Sequence, residues 1–380
     1  MEDPAPEETG SPMKKLPLPA LPPALEAAVR WGGAGDVVQG TRSLPSEPWA
    51  GGVRGGQLAE DDWLVSALCS IAAVAPAVLE KVMPRMSDEV RFFADGEWLP
   101  VKVDRRLPAG HDNSLLCAHN TSGADGDGAV TRAVTRAVTR EVTRAEQWIA
   151  VVEKAAAAKA GGYAQLSGAG RVETGLRDLS GLPVLSLDLT SERSAMLLEN
   201  GYLWDQLQCW VANSSVVCCE TVVPSVARFG FHDGIRPQRG YAVLGVAELQ
   251  TGEQLVRIHN PWDRGGWTGA YAPGSPELDT AKFLGSDSGA PPHDARPSFW
   301  MTLADWRLHF SRAHILSVLP KAWAHCSCCD AVVALASTAS ARNWLAKPSG
   351  WGSVFRLSLP PSAGKTAQFQ VTASLCAPEA

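Results

Sequence analysis

Arg257-Ile258-His259-Asn260-Pro261-Trp262-Asp263-Arg264-Gly265-Gly266-Trp267-Thr268-Gly269 is the stretch on which the reading of this chain turns. Its first residues end a run, Gln254 to His259, whose apolar and β-branched side chains read as a strand. Pro261 cannot donate to a ladder, and the glycines beyond Trp262 mark turns. Asn260-Pro261-Trp262 thus sits where a strand gives way to a turn. Its residues either pack that turn or present a functional side chain there.

Strands continue outward from this point. Val216 to Val223 and Tyr241 to Gln250 are further β-branched stretches, so the half beyond residue 181 reads as sheet-rich. Thr280 to Pro297 is a loop of Ser, Gly, Asp and Pro, and Phe299 to Leu319 closes this half. The half before it reads as helical. A helix runs from Asp61 or Asp62 to about Ala75, its acidic first turn suiting the helix dipole and Pro76 stopping it. Arg91 to Val103 alternates about Asp95-Gly96 as a hairpin. Ala145 to Lys159 is a second, Ala-rich helix ended by Gly161-Gly162, and Asp178 to Pro183 is a boundary.

The resulting plan is α+β, in four parts. Residues 1–45 are a flexible Pro- and Gly-rich lead-in; 46–180 are a first lobe and 181–320 a second. Residues 321–380, alternating over Gly352 to Leu359 and Gln368 to Leu375, begin a further β-domain. Within 123–144, Val-Thr-Arg occurs four times at a four-residue period. On a helix that places Val130, Val134, Val138 and Val142 on one stripe and Arg132, Arg136, Arg140 and Arg144 on another. It is either a tolerated loop insertion or a basic surface for an acidic partner.

Composition narrows the function classes. The chain has 380 residues, 45% hydrophobic and 19% charged, with 34 Lys and Arg against 40 Asp and Glu. A net charge of −6 gives no overall basic face for nucleic acid. The longest apolar run, Leu64 to Leu79, is interrupted by Ser66, Ser70 and Pro76 and reads as a buried helix, not a transmembrane segment. The expectation is an intracellular, cytoplasmic protein. Nine cysteines, an odd number, do not form a disulfide framework. His325, Cys326, Cys328 and Cys329 cluster, either as reduced thiols or as a metal site, which would usually draw a second ligand pair from elsewhere in the chain.

Six stretches, in order, resemble the calpain family of cysteine proteases. Gln57-Leu58-Ala59-Glu60-Asp61-Asp62-Trp63-Leu64 is similar to Q-G-x-L-G-D-C-W-F/L. Gly96-Glu97-Trp98 with Val103 to Pro108 is similar to G-x-W-x-x-V-x-x-D-D-x-L-P. Trp148 to Gly162 keeps the family's Glu-Lys-Ala at Glu153-Lys154-Ala155, and Tyr163 to Gly168 resembles Y-E-A-L-S-G. Arg257 to Gly269 is close to R-x-R-N-P-W-G-x-x-E-W-T-G, and Ser298 to Met301 carries F-W-M. The likeness covers about residues 40–320. It implies a papain-like fold: a helical lobe with a nucleophilic Cys at a helix N-terminus, and an antiparallel barrel-like lobe with the His and Asn.

Residue by residue, the resemblance implies that this catalytic set is incomplete. The cysteine position is Asp62, which has no sulfur, and the histidine position is Arg239, which stays protonated. Asn260 and Trp262 are retained. The oxyanion-hole Gln aligns with Gly56, or with Gln57 if one residue is lost. Cys69 lies about two turns along the helix, without the N-terminal dipole, and reads as a core thiol. His232 and His259 are the histidines from which a relocated pair would be drawn. Calcium ligands implied by the family fall on Val53, Thr174 (with Glu173 adjacent), Gly266, Pro273, Pro297 and Ser298, so most of them are lost and no cofactor is expected.

The expected function is a non-catalytic homologue holding a protein or peptide in the interlobe cleft. Its rivals are a calcium-dependent endopeptidase with a relocated nucleophile and a structural module for cytoskeleton or membrane. At the substituted positions two readings stand open. Asp62 and Arg239 form an ion pair between the lobes, or Asp62 caps its helix while Arg239 faces solvent.

Overall fold

A computed structural model describes residues 18–23, 25–26, 29–32, 52–54, 56–84, 89–94, 96–103, 106–111, 115–121, 148–167, 170–221, 233–262, 266–284 and 298–317. The Val-Thr-Arg repeat, the cysteines at 326–329, His232 and the proposed C-terminal β-domain lie outside the described residues.

Part of the N-terminal lead-in joins the fold. Strand β1 (Arg30–Gly32) pairs antiparallel with a later strand at Leu107–Ala109, and Leu25, Val29 and Trp31 pack on the core. Three apolar residues within seven positions hold this part of the segment down. Strand β2 (Gly52–Arg54) leads to helix α1 (Asp62–Val74). Every residue of α1 from Leu64 to Ala73 is buried, which its all-round apolar sequence requires. Pro76 cannot extend it, and the chain passes through a 3-10 turn into the short α2 (Leu79–Val82).

Strands β3 (Glu89–Ala94) and β4 (Glu97–Lys102) pair as the expected hairpin. Strand β5 is the partner of β1, and β6 (His119–Thr121) pairs with β2. Helix α3 (Trp148–Ala160) buries Trp148 to Ala157 in succession, two charged residues included. After α4 (Tyr163–Leu166), helix α5 (Val172–Ser180) lies against α1. A Cβ at Gly175 would stand 2.9 Å from that of Ala67, so only glycine permits this approach. Gly181, at φ 69°, ends α5 in the left-handed conformation.

The second half holds β7 (Val184–Asp188), α6 (Glu192–Glu199), α7 (Tyr202–Ala212), β8 (Val216–Thr221), β9 (Gly240–Glu248) and β10 (Gln254–His259). It ends with α8 (Pro276–Thr280), β11 (Ser298–Thr302), α9 (Leu303–His309) and β12 (Phe310–Leu316). Six of these strands form one antiparallel sheet in the order β11-β10-β9-β8-β12-β7. Among the described residues this sheet shows no barrel-like closure: β7 and β11 stand at opposite ends of the row.

Helices α6 and α7 interrupt a half read as strands. Leu203 and Leu207, one turn apart, are buried on the α7 face that meets β8 and β9. Helix α1 packs against β8, β9 and α5, and one apolar cluster runs through helices and sheet alike. Among the described residues no single helix is long and apolar enough to cross a membrane.

The closest join between α1 and the sheet is at Gly240, whose N–H donates to Ser66 Oγ at 2.9 Å. A Cβ there would stand 2.5 Å from Ser66 Cβ and 3.0 Å from Cys218 Sγ. We therefore expect Gly240→Ala to lower unfolding free energy by about 1–3 kcal/mol in urea titration, the cost of overpacking. An unchanged midpoint would mean that α1 is free to retreat from β9.

Candidate functional site

Asp62 opens α1 and Arg239 immediately precedes β9, and the fold brings them together across 177 residues of sequence. Arg239 Nη1 donates to Asp62 Oδ2 in an ion pair, with the side chains 25% and 28% exposed. This decides between the two readings of these positions. The helix cap is Asp61, and its side chain makes no capping hydrogen bond.

Arg239 is held by its backbone as well as its charge. Its N–H donates to Thr221 Oγ1 at 3.0 Å, and its carbonyl accepts from the Thr221 N–H at 3.0 Å. Gln238, at φ 54°, turns the chain into this position. The guanidinium carbon lies 5.2 Å from the centre of the Trp262 ring, a cation–π contact worth about 0.5–1 kcal/mol.

Trp262, 3% exposed, is fixed by the turn that precedes it. Its N–H donates to Asn260 Oδ1 at 3.3 Å, and the Val53 N–H donates to the Pro261 carbonyl. Asn260 therefore packs its own turn and sets the tryptophan that lies against Arg239. Gln57 stands apart. Its backbone N–H donates to the Leu116 carbonyl at 2.7 Å, while its exposed side chain meets none of Asp62, Arg239 or Asn260. Gly56, the alternative position, has Glu153 Oε1 only 3.0 Å from where a Cβ would be.

Beneath Asp62 lies a buried acidic pair that local sequence did not reveal. Asp61 is 2% exposed and Glu153 fully buried. Burial, with the neighbouring Asp62 charge, pushes the Asp61 carboxyl up to about 7. Burial and Asp61 push Glu153 well above the carboxylate range, against a 2.5 Å hydrogen bond from the Ala118 N–H. Asp62 is raised by burial too, and Arg239 and Arg236 pull it part of the way back. The sequence signal for this group was Glu153-Lys154 inside an Ala-rich, otherwise apolar helix. Lys154 meets the Arg106 carbonyl and lies 5.3 Å from the centre of the Trp31 ring.

The described thiols sit elsewhere. Cys69 is buried in α1, and burial pushes its thiol far above the ordinary value. Cys218 is pushed up to about 12 by burial, Cys219 accepts from Trp306 Nε1, and Cys117 meets the Tyr163 hydroxyl. Exposed Cys209 contacts Asn213 on α7. His259, buried on β10, continues into Asn260, with Ala242 and Ser298 as its strand partners.

Four of the positions where the family resemblance puts calcium ligands carry no carboxylate. Val53 is in the core, Gly266 and Pro273 have no side-chain oxygen, and the Ser298 hydroxyl accepts from Arg257 Nε. Among the described residues no group of three or more His, Cys, Asp or Glu is placed to hold a metal.

Beside the ion pair runs a groove of about 440 Å³ between α1, α5 and the sheet. Trp63, Ser66, Val172, Glu220, Arg239 and Arg312 are among the residues that line it.

Comparison with known proteins agrees with this architecture. The profile of the calpain family cysteine protease matches residues 22–317. The calpain-type cysteine protease DEK1 of Arabidopsis thaliana is 29% identical over 267 residues, covering 69% of this chain and 11% of that protein. Calpain-8 of Mus musculus is 28% identical over 277 residues, 68% of this chain and 34% of its own length. The calpain-2 catalytic subunit of Macaca fascicularis is 26% identical, with 68% and 35% covered. The chain thus spans between a tenth and about a third of the relatives it matches. It belongs to the calpain family.

Two outcomes follow from the geometry. In a double-mutant cycle, Arg239→Ala and Asp62→Ala should show a coupling of about 1 kcal/mol or more, with Arg239→Ala alone costlier than the pair. Strict additivity in urea unfolding would mean that the pair does not form in solution. The Asp61 proton gives the second. Its folded value lies near 7 against an ordinary 3.8, so the folded state holds this proton more tightly than the unfolded chain does. That stabilisation is complete below about pH 4 and is lost as pH rises through 7, at up to about 1.4 kcal/mol per unit. Asp61→Asn should flatten the fall in stability between pH 4 and 7; a parallel profile would remove the assignment.

Proposed function

We propose that this calpain-family chain is non-catalytic and binds an extended peptide segment of a protein partner in the groove beside Asp62 and Arg239. The Asp62–Arg239 ion pair carries this reading. In the cysteine-protease mechanism a thiolate attacks the carbonyl and an imidazolium returns a proton to the leaving amine. A carboxylate at the helix head forms no thioester, and a guanidinium bound to it neither takes nor gives a proton near neutral pH. The family's calcium dependence has no carboxylates to act through at Val53, Gly266 or Pro273, so the proposed binding needs no metal.

What supports a binding role is that the groove persists beside the altered pair. Its walls are backbone-anchored: Gly240 on Ser66, and Arg239 on Thr221. An apolar ring, Trp63, faces hydrogen-bonding and charged groups across it, the mixture by which a cleft holds a peptide.

The test is an assay of the full chain on casein, with and without millimolar calcium, alongside a thiol-directed activity probe. We expect no cleavage and no labelling dependent on a single cysteine. Cleavage that disappears in Cys69→Ala, or in any other single cysteine variant, would replace this reading with that of a peptidase whose nucleophile has moved.

A further inference from the structure

We infer that Ser186, His314 and Glu220 form a second reactive site, a modification site at which the Ser186 hydroxyl takes an acyl or phosphonyl group from an activated donor. This chemistry is separate from positions 62 and 239 and does not depend on peptide binding. It is a single covalent event rather than a turnover.

Strand register assembles the three side chains. Ser186 on β7 stands opposite His314 on β12, and His314 stands opposite Cys218 on β8, two residues before Glu220. The Leu189 N–H donates to the Ser311 carbonyl at 2.8 Å. Alternation from that bond makes Ser186 and His314 a pair without mutual backbone hydrogen bonds, the kind that brings side chains closest. Ser186 Oγ lies 2.7 Å from His314 Nδ1, and His314 Nε2 lies 3.3 Å from Glu220 Oε2. One imidazole thus stands between a hydroxyl and a carboxylate, with a different nitrogen toward each.

The carboxylate decides which nitrogen carries the proton. Burial acts to raise the Glu220 carboxyl, but the contact with His314, the His314 and Arg312 charges and the Val172 N–H hold it below the ordinary range. An ionised Glu220 only accepts, so it keeps the ring proton on Nε2. Nδ1 is then the base, and the hydroxyl that meets it is Ser186. The ring is 2% exposed, whereas Ser186 is exposed on the end strand of the sheet. The base is therefore shielded from water while the oxygen it activates is open to a reagent.

With an activated ester, Ser186 Oγ bonds to the carbonyl carbon and its proton passes to His314 Nδ1. The bond from that carbon to the leaving oxygen then breaks, and the leaving group takes the proton. With a fluorophosphonate, Oγ bonds to phosphorus and fluoride departs with the proton. By the same alternation the Ser186 N–H turns to the side of β7 that no strand pairs among the described residues. It gives the oxyanion one donor, where the serine-protease hole has two, and a lost donor costs about 10²–10³ in rate. Water then releases the adduct slowly and the serine stays modified, which agrees with a chain that does not turn substrate over.

The test is mass spectrometry of the full chain after treatment with a fluorophosphonate, alongside release of p-nitrophenol from p-nitrophenyl acetate. We expect an adduct on Ser186 with either reagent, and a burst of p-nitrophenol that Ser186→Ala removes. His314→Gln should slow labelling of Ser186 about a hundredfold, the usual contribution of a general base. Glu220 is a positioning residue, and Glu220→Gln should slow labelling about tenfold and lower the midpoint of its pH–rate profile. The sign follows because a neighbouring carboxylate favours the imidazolium, so removing it frees the base at lower pH. Should His314→Gln fail to fold by circular dichroism, Glu220→Gln decides. A Ser186 left unmodified in the folded wild type would overturn the site. Labelling with unchanged rate and pH midpoint in the folded variants would overturn the roles of His314 and Glu220. Continued Ser186-dependent release beyond the first equivalent would overturn the single covalent event.

Discussion

Burying α1 on every side is the constraint from which the rest of this structure follows. A helix whose residues from Leu64 to Ala73 are all excluded from water must be met by the sheet on one side and by helices on the other. The sheet meets it with Gly240, close enough that Ser66 Oγ takes the β9 amide, and α5 meets it with Gly175 against Ala67. Both contacts use glycine because each backbone comes within van der Waals range of a Cβ. Seating α1 this tightly leaves its first residue, Asp62, facing the residue before β9, Arg239. The ion pair is thus a consequence of the core; it is not what assembles it. Two partly exposed charges contribute little beside the apolar surface that α1 buries.

The parts legible in the sequence were those with strong local grammar. Pro76 and the acidic pair Asp61-Asp62 bounded α1 within a residue, Asp95-Gly96 marked the hairpin, and Gly161 ended α3. Asn260-Pro261-Trp262 was read as either a packed turn or a functional site. The turn reading accounts for its hydrogen bond, while Trp262 still reaches Arg239. What escaped was whatever depended on distant partners. Helix α7 went unread in a half taken as sheet-rich, because its burial of Leu203 and Leu207 depends on β8 and β9. Whether a six-stranded sheet closes is decided by its edges, and neither β7 nor β11 announces in sequence that it is one. Asp61 had the composition of a cap, yet Glu153, 92 positions away, shares its burial and changes its chemistry.

Charge at the head of α1 is arranged in depth. Asp62 at the surface finds a guanidinium, whereas Asp61 and Glu153 beneath it find burial and each other. Both inner carboxyls are driven toward their neutral forms, which limits the negative charge that Arg239 has to balance. A basic residue opposite the helix head suits this field better than a neutral one would. The helix dipole alone, with its positive end toward Asp62, is weak compensation for three carboxyls within one corner of the fold.

The groove survives for a reason that has little to do with the pair at its end. Trp63 is clamped by the approach of Gly170 and Gly175, and Glu220 is propped by His314 from inside the sheet. Thr221 and Gly240 are fixed by backbone hydrogen bonds that any side chain at position 239 would leave intact. Each wall therefore belongs to the packing that keeps α1 buried. Closing the cleft would require unseating the helix. On the proposed reading, that dependence is what lets a protease scaffold keep a ligand-sized groove after its nucleophile and base have been replaced.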